Sequence, residues 1–426
     1  MLLQFNFQNF KSFRDDTTLD MSAAPVTEFD HHIVKIGNEK VLPIAAIFGA
    51  NASGKSNVIE AIHYMKTFVV YSFGFGGENA TSDSGFGFIS PPPFLFDATA
   101  RDGESSFEVY FIASEEYGAR LYNYGFTLNR DGVREEWLND RAKTARGDYR
   151  RIFYRNEDEG VLDMPGLPRK SHENIRVALE KKALVVSLGA KLKIDLLKFV
   201  RDWFMDTAFA DFGRPIMNYV LSTQLPQDFV SDKAVQDRVV KYFSSFDPSI
   251  LGFEAQVIEE GINESAEKKI RIDAIHKMIG SDETGTIPLG EESAGTLKMF
   301  ALFPLLEDVL QSGGVLFVDE LNARLHPLMV RTFILTFLNP KINRHHAQLI
   351  FTTHDAWQLD NDLLRRDEIW FTEKDDDGVS SLYSLADFTG DGGAKIRKDE
   401  NYLKNYMLGK YGAIPTMDHF RVLKEE

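Results

Sequence analysis

Residues Phe48 to Asn57 read F-G-A-N-A-S-G-K-S-N, and Gly49, Gly54, Lys55 and Ser56 fill every fixed position of the pattern G-x-x-x-x-G-K-S. Glycines at these places let the backbone turn its N–H groups inward around phosphate oxygens. The lysine amine then reaches the β- and γ-oxygens, and the serine hydroxyl suits Mg²⁺. Both flanks agree. Val41 to Phe48 is a short apolar run that predicts a buried strand, and Val58, Ile59, Ala61, Ile62 and Met65 recur at helical spacing within Ser56 to Thr67. Strand, loop and helix in that order place phosphates at a helix N-terminus, where the dipole and unpaired N–H groups favour anions. Gly49, Asn51, Gly54, Lys55, Ser56 and Asn57 form the candidate nucleotide-binding group, with ATP the expected ligand and Ser56 also a metal ligand.

A partner motif lies far downstream. Val315 to Leu321 reads V-L-F-V-D-E-L, a buried strand running into Asp319 and Glu320. Beside a phosphate loop, Asp319 would hold Mg²⁺ and Glu320 would orient and deprotonate the attacking water. Lys55 and Asp319 are 264 positions apart (319 minus 55). A gap this long means that other structure interrupts the nucleotide domain. Two further segments fit such a split head. Glu291 to Leu297, E-E-S-A-G-T-L, precedes a helical run, so the Ser293 and Gly295 N–H groups could meet a γ-phosphate held by another subunit; a plain serine helix cap is the local alternative. Gln348 to Asp355, Q-L-I-F-T-T-H-D, predicts a buried strand ending in His354, a candidate γ-phosphate sensor.

The expected organisation is an N-terminal half over 1–156, a helical insertion over 157–248, a C-terminal half over 249–395 and a tail over 396–426. Alternation predicts a first strand through Leu3, Phe5 and Phe7 and a second near Thr17 to Met21. Further strands are expected at Ser106 to Ala113, Leu121 to Leu128, Ile250 to Ile258 and Lys269 to Ile275. Helices are expected at Asn174 to Lys182, Ile194 to Phe209, Lys233 to Phe246 and Thr296 to Gln311, and a Gly/Ser-rich surface loop at Phe73 to Pro93. Even as two equal helices the insertion would extend only about 60 Å at about 1.5 Å per residue, which excludes a long coiled-coil arm.

Composition bounds the partners. The net charge of −16 argues against a chain coated for non-specific nucleic-acid binding. One local basic run, Arg141 to Arg155, interleaves Tyr149, Phe153 and Tyr154 and could hold a nucleic-acid backbone or be a solvated strand edge. The absence of cysteine rules out disulfides and fits a cytoplasmic protein. No apolar run approaches the roughly 18 residues of a membrane span, and the first residues lack a secretory pattern, so no membrane role is expected. His31-His32 and His345-His346 read as exposed pairs.

With these motifs assembled, the chain resembles the ABC-type ATPases of bacterial anti-phage defence, the OLD, RloA, AbiLi and AriA group, and more distantly the RecF and SMC heads. The shared features are N-F-K-S-F at Asn9 to Phe13, the phosphate loop, E-S-A-G-T, V-D-E-L-N-A-R-L-H-P at Val318 to Pro327, T-T-H-D and the tail after Arg365. The resemblance implies an α/β fold, an ABC-type P-loop ATPase head of mixed sheets and flanking helices with a helical insertion. It implies a homodimer or larger homo-oligomer closing around ATP and Mg²⁺, in which Ser293 and Gly295 act across the dimer. It also implies Lys11 near the phosphates, Asn322 to His326 as a coupling loop, and a separately encoded effector, often a TOPRIM-like nuclease of RloB or AriB type. The pattern departs from the family in its E-S-A-G-T core and in lacking a clear glutamine loop, for which Pro91 to Asp97 sits about where one belongs. Two alternatives stay open: a repair-type DNA-binding head, and a self-sufficient nuclease using Glu373, Asp375, Asp376 and Asp377, which an acidic hairpin turn would equally explain.

Overall fold

A computed structural model describes residues 1–74, 90–113, 120–145, 147–214, 229–243, 247–260, 267–389 and 396–414. Most of the expected loop at Phe73 to Pro93 and the end of the tail lie outside these residues.

Two large sheets carry the fold. One is seven-stranded and antiparallel, in the order Val161–Asp163, Arg150–Asn156, Gly132–Ala142, Arg120–Asn129, Ser105–Ile112, Leu2–Gln8 and Thr17–Asp20. The other is six-stranded, in the order Ala208–Asp211, Val315–Asp319, Gln348–Thr352, Ile44–Gly49, Ile369–Lys374 and Ser380–Ser384. Its first five strands are parallel, and Ser380–Ser384 turns back antiparallel. A small antiparallel sheet combines Ile250–Glu260, Glu267–Lys277 and Thr284–Pro288.

The three central parallel strands are buried at every residue, which explains their unbroken apolar runs: a parallel strand covered on both faces has no polar side to show. Within Ile44–Gly49, Ala45 and Ile47 face one core, while Ile44, Ala46 and Phe48 face the other. The first core holds the helix Lys55–Tyr71, whose Val58, Ile62, Met65 and Phe68 pack between the two large sheets. The Tyr64 ring lies 5.2 Å from Phe107, and that of Phe68 lies 5.5 Å from Phe126. The second core holds the helices Ala294–Ser312 and Pro327–Leu338.

Three expectations change in detail. The run from Val41 to Phe48 is two strands: Glu39–Val41 closes a hairpin with Val34–Ile36, and Ile44–Gly49 begins after Pro43, which has no N–H for a ladder. The helix expected through Phe209 ends at Met205, and Ala208–Asp211 is a strand beside Val315–Asp319. Residues 157–248 thus hold helices (Arg169–Ala178, Val185–Lys191, Asp195–Met205 and Lys233–Phe243) and also one strand of the six-stranded sheet. Finally, His32 is buried rather than exposed. Its Nδ1 lies 3.1 Å from both Glu368 carboxylate oxygens, and its ring stacks on Phe29.

One side chain ties the sheets together. Gln348 is fully buried; its Oε1 accepts from Leu2 N (2.6 Å), and its Nε2 donates to the carbonyls of Leu2 (2.9 Å) and Leu42 (3.0 Å). Replacing it by an apolar isostere strands three backbone groups away from water. Gln348→Leu should therefore lower unfolding stability by about 2–4 kcal/mol, read as a fall in the urea midpoint at unchanged slope.

Candidate nucleotide site

Parallel strands all end on one side, so the central sheet delivers its functional residues to a single edge. Asp211 is in register with Asp319, Phe351 with Val318, Ile47 with Thr352, and Thr372 with Gly49.

The phosphate loop occupies that edge. Gly49 (φ 152°) and Gly54 (φ 113°) adopt conformations that side chains rarely reach. Each is also hemmed in: a Cβ on Gly49 would meet Thr372 O at 2.5 Å, and one on Gly54 would meet Ser380 Oγ at 2.7 Å and the Phe13 ring at 3.1 Å. Ser53 Oγ lies 2.6 Å from Thr372 Oγ1, and Ser380 Oγ lies 2.7 Å from both Ser12 Oγ and Ser53 O. The loop is clamped from behind by Ile369–Lys374, Ser380–Ser384 and the Asn9–Phe13 turn. Lys55 opens the helix and is buried; its Nζ donates to the carbonyls of Gly49 (2.9 Å) and Ala50 (2.8 Å). Burial pulls its pKa down to about 8, against the pull of the nearby Asp319 and Glu320.

Asp319 closes its strand with a buried carboxylate that accepts from Thr352 Oγ1. The same hydroxyl accepts from Glu320 N (2.8 Å), so Thr352 holds both acids. Glu320 turns out of the sheet with φ 54°, and its Oε1 lies 3.9 Å from His354 Nε2. Asn322 Oδ1 accepts from His354 N (3.1 Å) and Thr353 Oγ1 (2.9 Å). Burial, then the Lys55 charge, lowers the His354 pKa, while Asp319 opposes them. Lys55, Asp319, Glu320 and His354 therefore share one electrostatic environment.

The remaining site candidates spread outward. Asn51 is exposed on the loop and Ser56 is half-buried at the helix start. Asn57 turns its side-chain amide to Ser12 Oγ (2.7 Å), and Lys11 pairs with Glu60 on the same helix. Ser293 caps its helix by accepting from Thr296 N (3.1 Å), and Gly295 stands against the Asn322–His326 loop, where a Cβ would lie 3.2 Å from Arg324 O. Pro91 to Asp97 borders the Asn9–Phe13 turn behind the phosphate loop: Lys11 N donates to Pro92 O (2.7 Å), Phe94 N donates to Asn9 Oδ1 (2.9 Å), and Asp97 caps the helix Ala98–Asp102. The strand flanking Asp319 is instead Ala208–Asp211, and burial together with Asp319 raises the Asp211 pKa.

Several residues of this edge carry no motif. Thr352 and Ser380 are ordinary strand residues whose role appears only through pairing. Lys298, one lysine in the apolar run T-L-K-M-F, was the legible anomaly. It is buried, with its pKa pulled down to about 7 by burial.

The alternative sites lose support. Arg141 pairs with Glu39 (2.8 Å), Arg150 with Asp140 (3.0 Å), and Arg155 is buried with Glu157 (2.6 Å) and the Ala183 carbonyl (2.6 Å). Arg141 and Arg155 are committed to internal bonds, while Arg150 and Arg151 stay more than half exposed. Asp375 to Gly378 form the expected hairpin turn, with Asp375 Oδ1 accepting from Val379 N (2.8 Å). Among the described residues no group of three or more His, Cys, Asp or Glu side chains is arranged to hold a metal ion, and no helix is long and apolar enough to cross a membrane.

A strand–loop–helix phosphate cradle facing an acid-ended strand and a histidine-ended strand defines the class: this is a P-loop ATPase head of mixed α/β architecture. Residues 44–356, more than half the chain, match the family described as "AAA domain, putative AbiEii toxin, Type IV TA system", and the chain belongs to that family, an ABC-type AAA ATPase domain of the toxin and defence type. No curated protein matches. Among solved structures it is similar to the recombination mediator protein RecF-ATPrS in the RecFOR pathway, at 13% identity and TM-score 0.35 over 90% of this chain and 98% of that one. It is also similar to the corresponding RecF-ATP structure, at 14% identity and TM-score 0.32 over 83% and 93%.

Thr352 offers a direct check on how the acids are held. Thr352→Val keeps the shape but leaves Glu320 N–H without its acceptor, so it should cost about 1–3 kcal/mol in chemical denaturation, whereas Thr352→Ser should lose clearly less.

Proposed function

We propose that this chain binds ATP with Mg²⁺ at the carboxyl edge of its central sheet and hydrolyses it within a homodimer, as a cytoplasmic sensor or scaffold in anti-phage defence. The observation that carries this reading is the convergence of Lys55, Asp319, Glu320 and His354, with Glu320 3.9 Å from His354 and the Lys55 amine within electrostatic reach of both acids.

The residues fit the ligands. Gly49 and Gly54 let the loop press against Thr372, Ser380 and Phe13 where a Cβ would clash, and Lys55 supplies a cation at the start of the helix that follows. Ser56 and Asp319 are hard oxygen donors suited to Mg²⁺. When bound, the ion neutralises charge on the β- and γ-oxygens. Lys55 leaves the Gly49 and Ala50 carbonyls to donate to the same oxygens. Glu320 orients a water in line with the terminal phosphorus and accepts its proton, and His354 donates toward the γ-phosphate. Ser293 and Gly295 complete the neighbouring subunit's site with helix N-terminal N–H groups.

The effector is the least local part of this reading. The sequence resemblance alone implies a separately encoded partner, with a TOPRIM-like nuclease of RloB or AriB type the candidate it suggests. Co-purification with the product of the adjacent gene tests it.

For the ATPase itself, Lys55→Ala should abolish nucleotide binding in calorimetry. Glu320→Gln should bind ATP as wild type does, lose turnover by about 100-fold or more, and accumulate as an ATP-bound dimer in sedimentation. Equal turnover by Glu320→Gln and wild type would refute the assigned base.

A further inference from the structure

The helix Ala294–Ser312 and the loop after Asp319 meet through one buried charge. Lys298 Nζ donates to the carbonyls of Glu320 (3.1 Å), Leu321 (2.6 Å) and Ala323 (3.0 Å). An ammonium has three N–H donors, so these carbonyls use all of them. The Phe212 ring covers the charge at 3.9 Å, and Phe212 N donates in turn to Asp319 O (3.1 Å). Among the described residues no carboxylate forms an ion pair with Lys298. Burying a cation without an ion pair is costly, and removing it would leave three carbonyls without this donor. What it also supplies is a fixed geometry for three carbonyls of a loop whose ends are both left-handed, Glu320 at φ 54° and Arg324 at φ 59°.

We propose that Lys298 is a positioning residue for ATP hydrolysis, coupling the helix that begins at Ser293 to the loop that aims Glu320. The helix start already touches the far side of that loop, because Gly295 stands against the Arg324 carbonyl. Lys298 grips the near side one turn later. The two contacts make helix and loop a single unit, so a shift of the helix start, where a second copy would engage, reorients the Glu320 carboxylate. Gly213 has no Cβ beside this carboxylate, and one built there would lie 3.4 Å from Glu320 Cδ, so the glycine leaves Glu320 room on the Phe212 side.

This inference rests on the proposed ATPase reading, and its test separates the two. In Lys298→Met the ATP dissociation constant should stay within about twofold of wild type, while kcat falls by roughly 100-fold with little change in KM. A group acting through Glu320 has nothing to position once that carboxylate is gone. Lys298→Met added to Glu320→Gln should therefore leave the residual turnover unchanged. Lys298→Gln, which keeps one or two donors, should give an intermediate kcat and serves the same comparison if the methionine variant folds poorly. Unchanged kcat in both single variants, or an equal fractional loss with and without Glu320, would overturn the proposal. If the wild-type chain neither binds nor turns over ATP, the ATPase reading fails instead.

Discussion

The site depends on the burial of one helix between two sheets. Lys55–Tyr71 has apolar side chains facing both, and neither sheet alone would cover them. Because that helix cannot shift without opening the larger core, its first residue, Lys55, and the loop before it are fixed relative to the strand ends of the central sheet. Close packing of this kind transmits position over the length of an element. Gln348 extends the constraint by tying the first strand of the chain to the strand that leads to His354. The candidate nucleotide edge is thus set by packing formed well away from it.

From that base the division of labour among the acids follows. Asp319 belongs to the strand and is held by Thr352, so its carboxylate is set by the ladder. Glu320 has left the strand in a left-handed conformation that costs energy for any residue with a Cβ. It is held by backbone bonds from Thr352 and Lys298. Adjacent residues thereby gain different freedoms: a rigid carboxylate suited to an ion and an adjustable one suited to a water.

Motifs with a fixed mechanism were legible in the sequence because their chemistry needs particular residues at particular spacings. G-x-x-x-x-G-K-S, V-D-E and T-T-H-D all came to one edge, and unbroken apolar runs marked the parallel strands that brought them there. Elements defined by pairing were not legible. Ala208 to Asp211 is too short to show a period and follows a helix with no punctuation, yet it flanks Asp319. His32 looked like half of an exposed pair because its partner, Glu368, lies 336 positions away. Arg141 to Arg155 showed only its charge, because the carboxylates that pair with Arg141 and Arg150, Glu39 and Asp140, lie on other strands outside the run. Local sequence records charge, but only the register of a sheet records whether that charge is already spent.

The same distinction bears on how such a head is completed. Lys55, Asn57, Asp319 and the Glu320 backbone are bonded elsewhere in their own chain, unlike Ser293 and Gly295. Those two are bonded only to their own helix start and pressed against the Asn322–His326 loop. A helix start whose first N–H groups are mostly uncommitted favours an anion supplied from outside. An anion arriving there pulls on a helix that is fastened by Lys298 to the backbone of Glu320. If a second copy supplies that anion, as proposed, dimer closure and the aim of Glu320 share one mechanical path.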